Sequence, residues 1–209
     1  MRVLAHLYSY CEADIIGWIV RHLLAQGCDV LISDNHSTDE TLDVLSRSGV
    51  GWASGIWEAL AITAGFSACV TSWPDEPASV VSWYTMLQRV ETLAARASEL
   101  GYGGGWFVHV DADEIRRSAR HGETLHDAIV RLDAQGYTAL DHDVEVYAPR
   151  EGYDGSQDPE AYFTEKLLDH IDMHNGQIKA WKLLPGVRVD LASRGGHVAR
   201  FPGMRVGPE

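Results

Sequence analysis

Three short apolar runs, each closing on polar or acidic residues, limit what this chain can become: Val3 to Tyr8, Asp29 to Ser33 and Trp106 to Val110. Runs of about five residues rich in branched and aromatic side chains have the length of buried strands. Between the first two, apolar residues at 15, 16, 19, 20, 23 and 24 repeat as one helical face over Glu12 to Gln26, and Gly27 stops it. Ser37 and Glu40 form a Ser-x-x-Glu capping pattern that predicts a second helix through about Leu45. Strand, helix, strand, helix predicts an α/β fold: a mostly parallel central sheet with right-handed crossovers, flanked by helices. Tyr8 and Asp34 then stand at neighbouring strand ends, where such sheets bind ligands.

The third run carries the most chemistry. Gly103, Gly104 and Gly105 break what precedes, and the run ends in Asp111-Ala112-Asp113-Glu114. Two carboxylates at i and i+2 on a strand end can meet one divalent cation, directly or through water. The alternative is that Asp111 and Asp113 only cap the turn that follows.

Elsewhere the pattern is uneven. Trp52 to Ala64 reads as a helix and Phe66 to Thr71 as a strand, although Gly55 and Gly65 blur both. Pro74-Asp75-Glu76-Pro77 is a breaker, after which Ser79 to Leu100 is a long amphipathic helix stopped by Gly101. Thr124-x-x-Asp127 opens a further helix that ends at Gly136, and Tyr137 to Tyr147 reads as a strand. Ala148 to Pro159 is an exposed loop of the kind that shapes a substrate mouth. Ile178 to Leu184, Val187 to Leu191 and Gly196 to Phe201 are short strands of a small antiparallel C-terminal appendage. Without an internal repeat, the 209 residues predict a single domain.

Charge narrows the partners. A formal net charge of −13 argues against nucleic acid or an anionic membrane covering the surface, because phosphate affinity is built from clustered Lys and Arg. The segment from Gly176 to Val206 is the exception, with six basic residues and the single acid Asp190. Beside acidic strand ends it could help hold a small anion, or simply form a solvated face. Cys11, Cys28 and Cys69 are widely spaced and odd in number, which implies neither a disulfide framework nor a zinc site. A reducing cytoplasm follows, with the inner face of the membrane as a peripheral location. The 24 residues from Val50 to Trp73 contain one charge, Glu58, but their Gly, Ala, Ser and Thr content favours buried helix and strand over a membrane span.

Several residues are candidates for the chemistry. Asp141 and Asp143, followed by Glu145 and by Asp169 and Asp172, could accept a proton; each could equally be a solvated surface acid. Lys179 and Lys182 flank Trp181, and we assign Lys182 to phosphate; plain surface lysines are the alternative. His170 and His174 lack a third zinc ligand at a diagnostic spacing.

Taken together, Cys11-Glu12 after the first strand, Asp34-Asn35-His36-Ser37-Thr38-Asp39-Glu40-Thr41 after the second, and Trp106 to Glu114 resemble the family 2 glycosyltransferases. The resemblance covers residues 2 to about 135 and departs from the family at Cys11, where Asn is usual, and at His36, where Gly is usual. It implies a GT-A fold, with residues 1–115 as the nucleotide-sugar-binding half and 116–209 as the acceptor-side half. It further implies a UDP-, GDP- or dTDP-linked donor and Mn²⁺ or Mg²⁺ bridging Asp-x-Asp to the diphosphate. The acceptor would be a glycan, a lipid-linked molecule or a small molecule. On that basis Asp34 and Asn35 would touch the nucleoside and Asp111 the ribose; Tyr8 and Glu12 after the first strand, and Lys182 by its charge, are further candidates for the nucleotide-sugar. Asp111, Asp113 and His197 would face the metal, His197 because family members often bring a late histidine there; a plain turn residue is its alternative. The residues themselves offer Asp141 and Asp143 as the catalytic carboxylates, one of them as the general base. Related domains commonly continue into a segment that closes over the donor, whereas this sequence stops at Glu209, as a compact or a shortened member would.

Two other readings compete. A sugar nucleotidyltransferase would use a similar sheet and metal, but Leu7 to Ala13 lacks its glycine-rich basic loop. A nucleotide-sugar-binding domain without turnover would keep the fold and lose the chemistry.

Overall fold

The computed structural model describes residues 1–55, 58–59, 68–72, 82–148, 150–167 and 177–208. Its strands are β1 (Val3–Ser9), β2 (Asp29–Asp34), β3 (Gly51–Trp52), β4 (Ala68–Ser72), β5 (Trp106–Asp111), β6 (Ala139–Asp141), β7 (Ala180–Lys182) and β8 (Val206–Pro208). The α-helices are α1 (Ile16–Ala25), α2 (Thr41–Arg47), α3 (Trp83–Ala97), α4 (Leu125–Ala134) and the single turn α5 (Pro159–Tyr162).

One sheet gathers the eight strands in the order β3-β4-β2-β1-β5-β7-β6-β8. The first five in that order run parallel. β7 then runs antiparallel to both β5 and β6, and β8 pairs parallel with β6. The expected α/β architecture is therefore present, mostly parallel with antiparallel pairing at the C-terminal end. The antiparallel part is joined directly to the main sheet, with β7 inserted between β5 and β6. The other two expected C-terminal strands shrink to isolated bridges, Ile178 with Val198 and Asp190 with Arg200. Tyr137 to Tyr147 yields only the three residues of β6, with a lone bridge from Tyr147 to Lys166. A strand extends only as far as its partners do, and β7 and β8 are each three residues long.

Helix starts show which polar residues won. Thr124 caps α4 as expected, accepting from Asp127 N at 3.1 Å. Ser82 caps α3 in the same way, accepting from Thr85 N at 3.2 Å. At α2 the predicted capping box does not form: the N-cap position is Glu40, with no side-chain cap. Ser37 is drawn off to Asp34 and Cys11, and Asp39 accepts instead from Thr41 N at 3.0 Å. A local capping pattern has yielded to contacts across two loops. Gly105 is required by proximity, since a Cβ there would lie 2.5 Å from the carbonyl oxygen of Arg2.

The strands bury both faces. On one, Val3, Ala5, Leu7, Val30, Ile32, Val108 and Val110 pack against α1 and α4 through Ile16, Ile19, Leu23, Leu125 and Ile129. On the other, Leu4, Leu31, Phe107 and Trp181 pack against α3 through Leu87, Val90, Leu93 and Ala94. Each such side chain contributes about 1.5–3 kcal/mol when fully buried. Among the described residues no helix is long and apolar enough to cross a membrane. The expected helix from Trp52 to Ala64, the breaker at Pro74 to Pro77, and His170, His174, Asp169 and Asp172 fall largely or wholly outside the described residues.

Candidate active site

Parallel register brings the three acidic strand ends together. β1 lies between β2 and β5, with Tyr8 paired to both Ser33 and Asp111. Helices return the chain to the opposite edge each time, so the loops after β1, β2 and β5 meet at the carboxyl ends of their strands.

The loops after β1 and β2 are stitched to one another. Asp34 is fully enclosed and accepts from Ser9 Oγ at 3.1 Å, from Ser37 N at 3.0 Å and from Ser37 Oγ at 2.5 Å. Cys11 N donates to Ser37 Oγ and Glu12 N to Thr41 Oγ1, each at 2.8 Å. Ala13 N donates to Asp39 Oδ2 at 3.2 Å. These bonds hold Cys11 at φ 57° and His36 at φ 58°, the two described residues other than glycine with left-handed backbone. Such residues store strain of about 1–3 kcal/mol and concentrate at functional sites. A glycine at the His36 position, as the resembling family has, would take this conformation without strain.

At the end of β5 a different logic rules. Lys179, 1% exposed, donates to Asp111 Oδ2 and to Glu114 Oε1, each at 2.7 Å. Arg116, also buried, reaches Glu114 Oε2 at 2.8 Å. Burial alone would raise the Glu114 pKa, but Arg116 and Lys179 hold it well below the usual carboxylate range. Asp111 keeps its side chain 26% exposed, with Oδ1 3.6 Å from His109 Nε2. Glu12 has no such relief. Partial burial, then Asp113, Asp14, Asp39 and Asp111, push its carboxyl up to about 7. Asp113 stands at the exposed rim, and partial shielding of its carboxyl, then Asp111 and Glu114, raise its pKa as well.

Buried imidazoles underlie this edge. Burial, then the charge of Lys179, lowers His109 to about 3, and burial followed by Arg116 does the same to His142. His6 is fully enclosed, and burial followed by His109 holds it well below the ordinary imidazole value. All three rings are therefore uncharged near neutrality.

The sequence candidates divide. Glu12, Asn35, Tyr8, Asp111 and Asp113 gather at the strand ends. Asp34 is there too, but as the organiser of the Ser9–Ser37 loop rather than as an exposed carboxylate. His197 is placed next to Gln177, whose Nε2 is 3.3 Å from His197 Nδ1. Asp141 Oδ1 accepts from Gln177 N at 2.7 Å, and Asp143 beyond it is exposed. Lys182 does not belong to the site. It pairs with Trp106 in the sheet and its Nζ lies 2.6 Å from Asp133, at the opposite end of β5 from Asp111. The residue that reaches the acids is Lys179, three positions earlier and just before the antiparallel strand β7. The C-terminal basic residues do not form one anion site: Lys179 is internal, Lys182 is with Asp133, and Arg205 lies over the Tyr137 ring.

Glu114, Arg116, Gln177, His6, His109 and His142 were missed from the sequence. The two strand histidines did leave a signal, as polar residues in the middle of Val-Leu-Ala-His-Leu-Tyr and Trp-Phe-Val-His-Val-Asp.

No family model and no curated protein matches the chain. Among solved structures it is similar to S. aureus TarS 1-349 in complex with UDP, at 16% identity and TM-score 0.44 over 72% of this chain and 38% of that one. It is similar to the mannosyltransferase PcManGT from Pyrobaculum calidifontis, in complex with GDP-Man and Mn²⁺, at 22% identity and TM-score 0.43 over 72% of this chain and 36% of that one. For M. tuberculosis glucosyl-3-phosphoglycerate synthase the figures are 17% and 0.38, over 68% of this chain and 44% of that one. The chain thus spans less than half the length of each.

Proposed function

We propose that this chain binds a nucleoside-diphosphate sugar with a divalent metal and transfers the sugar to an acceptor hydroxyl. The observation that carries the proposal is the unbalanced acid at the strand ends. Lys179 and Arg116 answer Asp111 and Glu114, whereas the charges that weigh most on Glu12 are all carboxylates. Among the described residues no three acid, histidine or cysteine side chains converge as a ready-made metal site, so the chain alone would give such an ion only part of its shell. Carboxylate oxygens are the ligands Mg²⁺ and Mn²⁺ prefer, and the chemistry of Asp111 and Asp113 fits an ion whose remaining ligands are diphosphate and water. Asp113 and the Oδ1 side of Asp111 would hold it, with Glu12 adjoining and His197 a farther candidate. Bound there, the ion would neutralise charge developing on the diphosphate leaving group.

The chain's own residues supply the rest. Lys179 pins Oδ2 of Asp111, and Oδ1, 3.6 Å from His109 Nε2, is left for the ion. Tyr8 Oη and Asn35 Oδ1, both enclosed without a well-formed hydrogen bond, offer polar contacts to the nucleoside. Asp141 is held by the Gln177 amide, so the exposed Asp143 is the better placed of the two to take the proton of an acceptor hydroxyl. Residues 1–115 form the donor half in this reading, and 116–209 the acceptor side.

The test is calorimetric titration of UDP, GDP and dTDP, each with and without Mn²⁺. One nucleotide is expected to bind tightly in a metal-dependent manner, and Asp113→Ala to lose at least tenfold of that affinity, a change of about 1.4 kcal/mol. Binding that is indifferent to both metal and Asp113 would refute the metal-dependent mechanism.

A further inference from the structure

Most large apolar side chains of this protein are internal, but two aromatic residues at the start of α3 are not: Trp83 is 48% exposed and Tyr84 53%. α3 leads back along the sheet into β5, so its first residues stand at the carboxyl edge, where the acids gather. Exposure has not left Trp83 loose. Its indole Nε1 donates to the carbonyl oxygen of Gly195 at 3.4 Å. Gly196 packs against the same side chain, since a Cβ there would fall 3.5 Å from Trp83 Cζ2 and 3.0 Å from Leu87 Cδ2. The ring is thus fixed in orientation and about half open to solvent. The turn that holds it leads to the site: His197 follows Gly196 and neighbours Gln177, and Gln177 Oε1 lies 3.5 Å from Arg116, which reaches Glu114. Through the bridge between Val198 and Ile178 this turn belongs to the β7 side of β5, whereas β1 and β2 lie on the other side.

We propose that Trp83, with Tyr84 beside it, is a stacking platform for a pyranose ring of the acceptor, which makes the acceptor a saccharide. This rests on the donor reading given above, in which the nucleotide occupies the loops after β1 and β2 and leaves the β7 side to the acceptor. A pyranose presents a face of C–H groups, and the electron-rich face of an indole attracts such groups. A side chain held in place before binding loses little freedom when a ring stacks on it. Apolar residues scattered singly over a surface need no explanation, but two aromatic neighbours beside a polar site mark a place of contact. Two half-exposed rings offer far less than the roughly 800 Å² per partner of a stable contact between copies. A net charge of −13 sets the chain against an anionic membrane, whereas an uncharged sugar meets no such repulsion.

The test is calorimetric titration of cellotriose, maltotriose, mannotriose and chitotriose, each into the protein alone and into the protein with Mn²⁺ and UDP, GDP or dTDP. One trisaccharide is expected to bind, and Trp83→Ala to weaken it by about tenfold, the scale of a lost stacking ring, with nucleotide affinity within about twofold of the parent. Trp83→Phe should keep most of the affinity, because it keeps a ring. Trisaccharide binding that Trp83→Ala leaves unchanged overturns the platform. So does the failure of all four to bind, and self-association abolished by Trp83→Ala would then assign the patch to a second copy. A trisaccharide held through Trp83 by a protein that binds no nucleotide would break the donor reading and keep the platform as a saccharide site. Should Trp83→Ala not fold, Trp83→Leu removes the aromatic face while keeping apolar bulk beside Gly196, and the same outcomes decide.

Discussion

The two faces of the parallel sheet are built from the same strands to different ends. Alternate residues of β1 toward α1 and α4 are Val3, Ala5 and Leu7; toward α3 they are Leu4, His6 and Tyr8. β5 repeats the contrast, with Val108 and Val110 on one face and Phe107, His109 and Asp111 on the other. β2 gives Val30 and Ile32 against Leu31 and Ser33. On one face carbon runs up to the last residue, where Ser9 and Asp34 close β1 and β2, and on the other it stops halfway. The apolar face is a core whose work is stability. The other gives up part of that stability to hold polar groups at the strand ends.

The largest test of this contrast is Lys179→Met. The substitution leaves Asp111 and Glu114 without their shared cation in a mostly buried site, and an expected loss of about 3–5 kcal/mol in urea denaturation follows. If Lys179→Met were neutral, the polar face would be an ordinary core with a replaceable lysine. Leu7→Ala probes the other face and should cost about 3 kcal/mol in the same assay through lost burial and a residual cavity, while nucleotide affinity stays within about twofold. A matching loss of affinity would mean that the faces are not separable.

The smallest effect is the pH dependence of Glu12. Its folded pKa of about 7 lies above the ordinary carboxylate value of 4.5, so the folded state holds the proton more tightly than the unfolded. Stability from this group is therefore greatest below 4.5 and declines as pH rises toward 7. Discounted for partial exposure, the decline is of order 1 kcal/mol. Thermal midpoints from pH 4.5 to 8 would show it as a slope that Glu12→Gln flattens. Added Mn²⁺ should flatten it too, by supplying the missing positive charge. A slope untouched by either would separate Glu12 from the acid cluster.

Much of this was readable from the chain. Short continuous apolar runs marked β1, β2 and β5, period 3.6 marked α1, α3 and α4, and the acids closing the strands marked the edge where they meet, because local patterning and local geometry are the same information. The insertion of β7 was not readable, since a three-residue strand carries too little pattern to announce its neighbours. The choice between Lys179 and Lys182 turned on that antiparallel register: three residues along a strand span roughly 10 Å and separate the acid cluster from Asp133. Ser37 was lost to Asp34 and Cys11 for the same kind of reason, as contacts between loops outweighed a capping pattern within one. Sequence determined which residues are strand, helix and acid, because those preferences act over a few neighbouring positions. Tertiary structure alone decided which cation answers which carboxylate and which imidazoles remain unpaired, because those depend on residues brought together from distant parts of the chain.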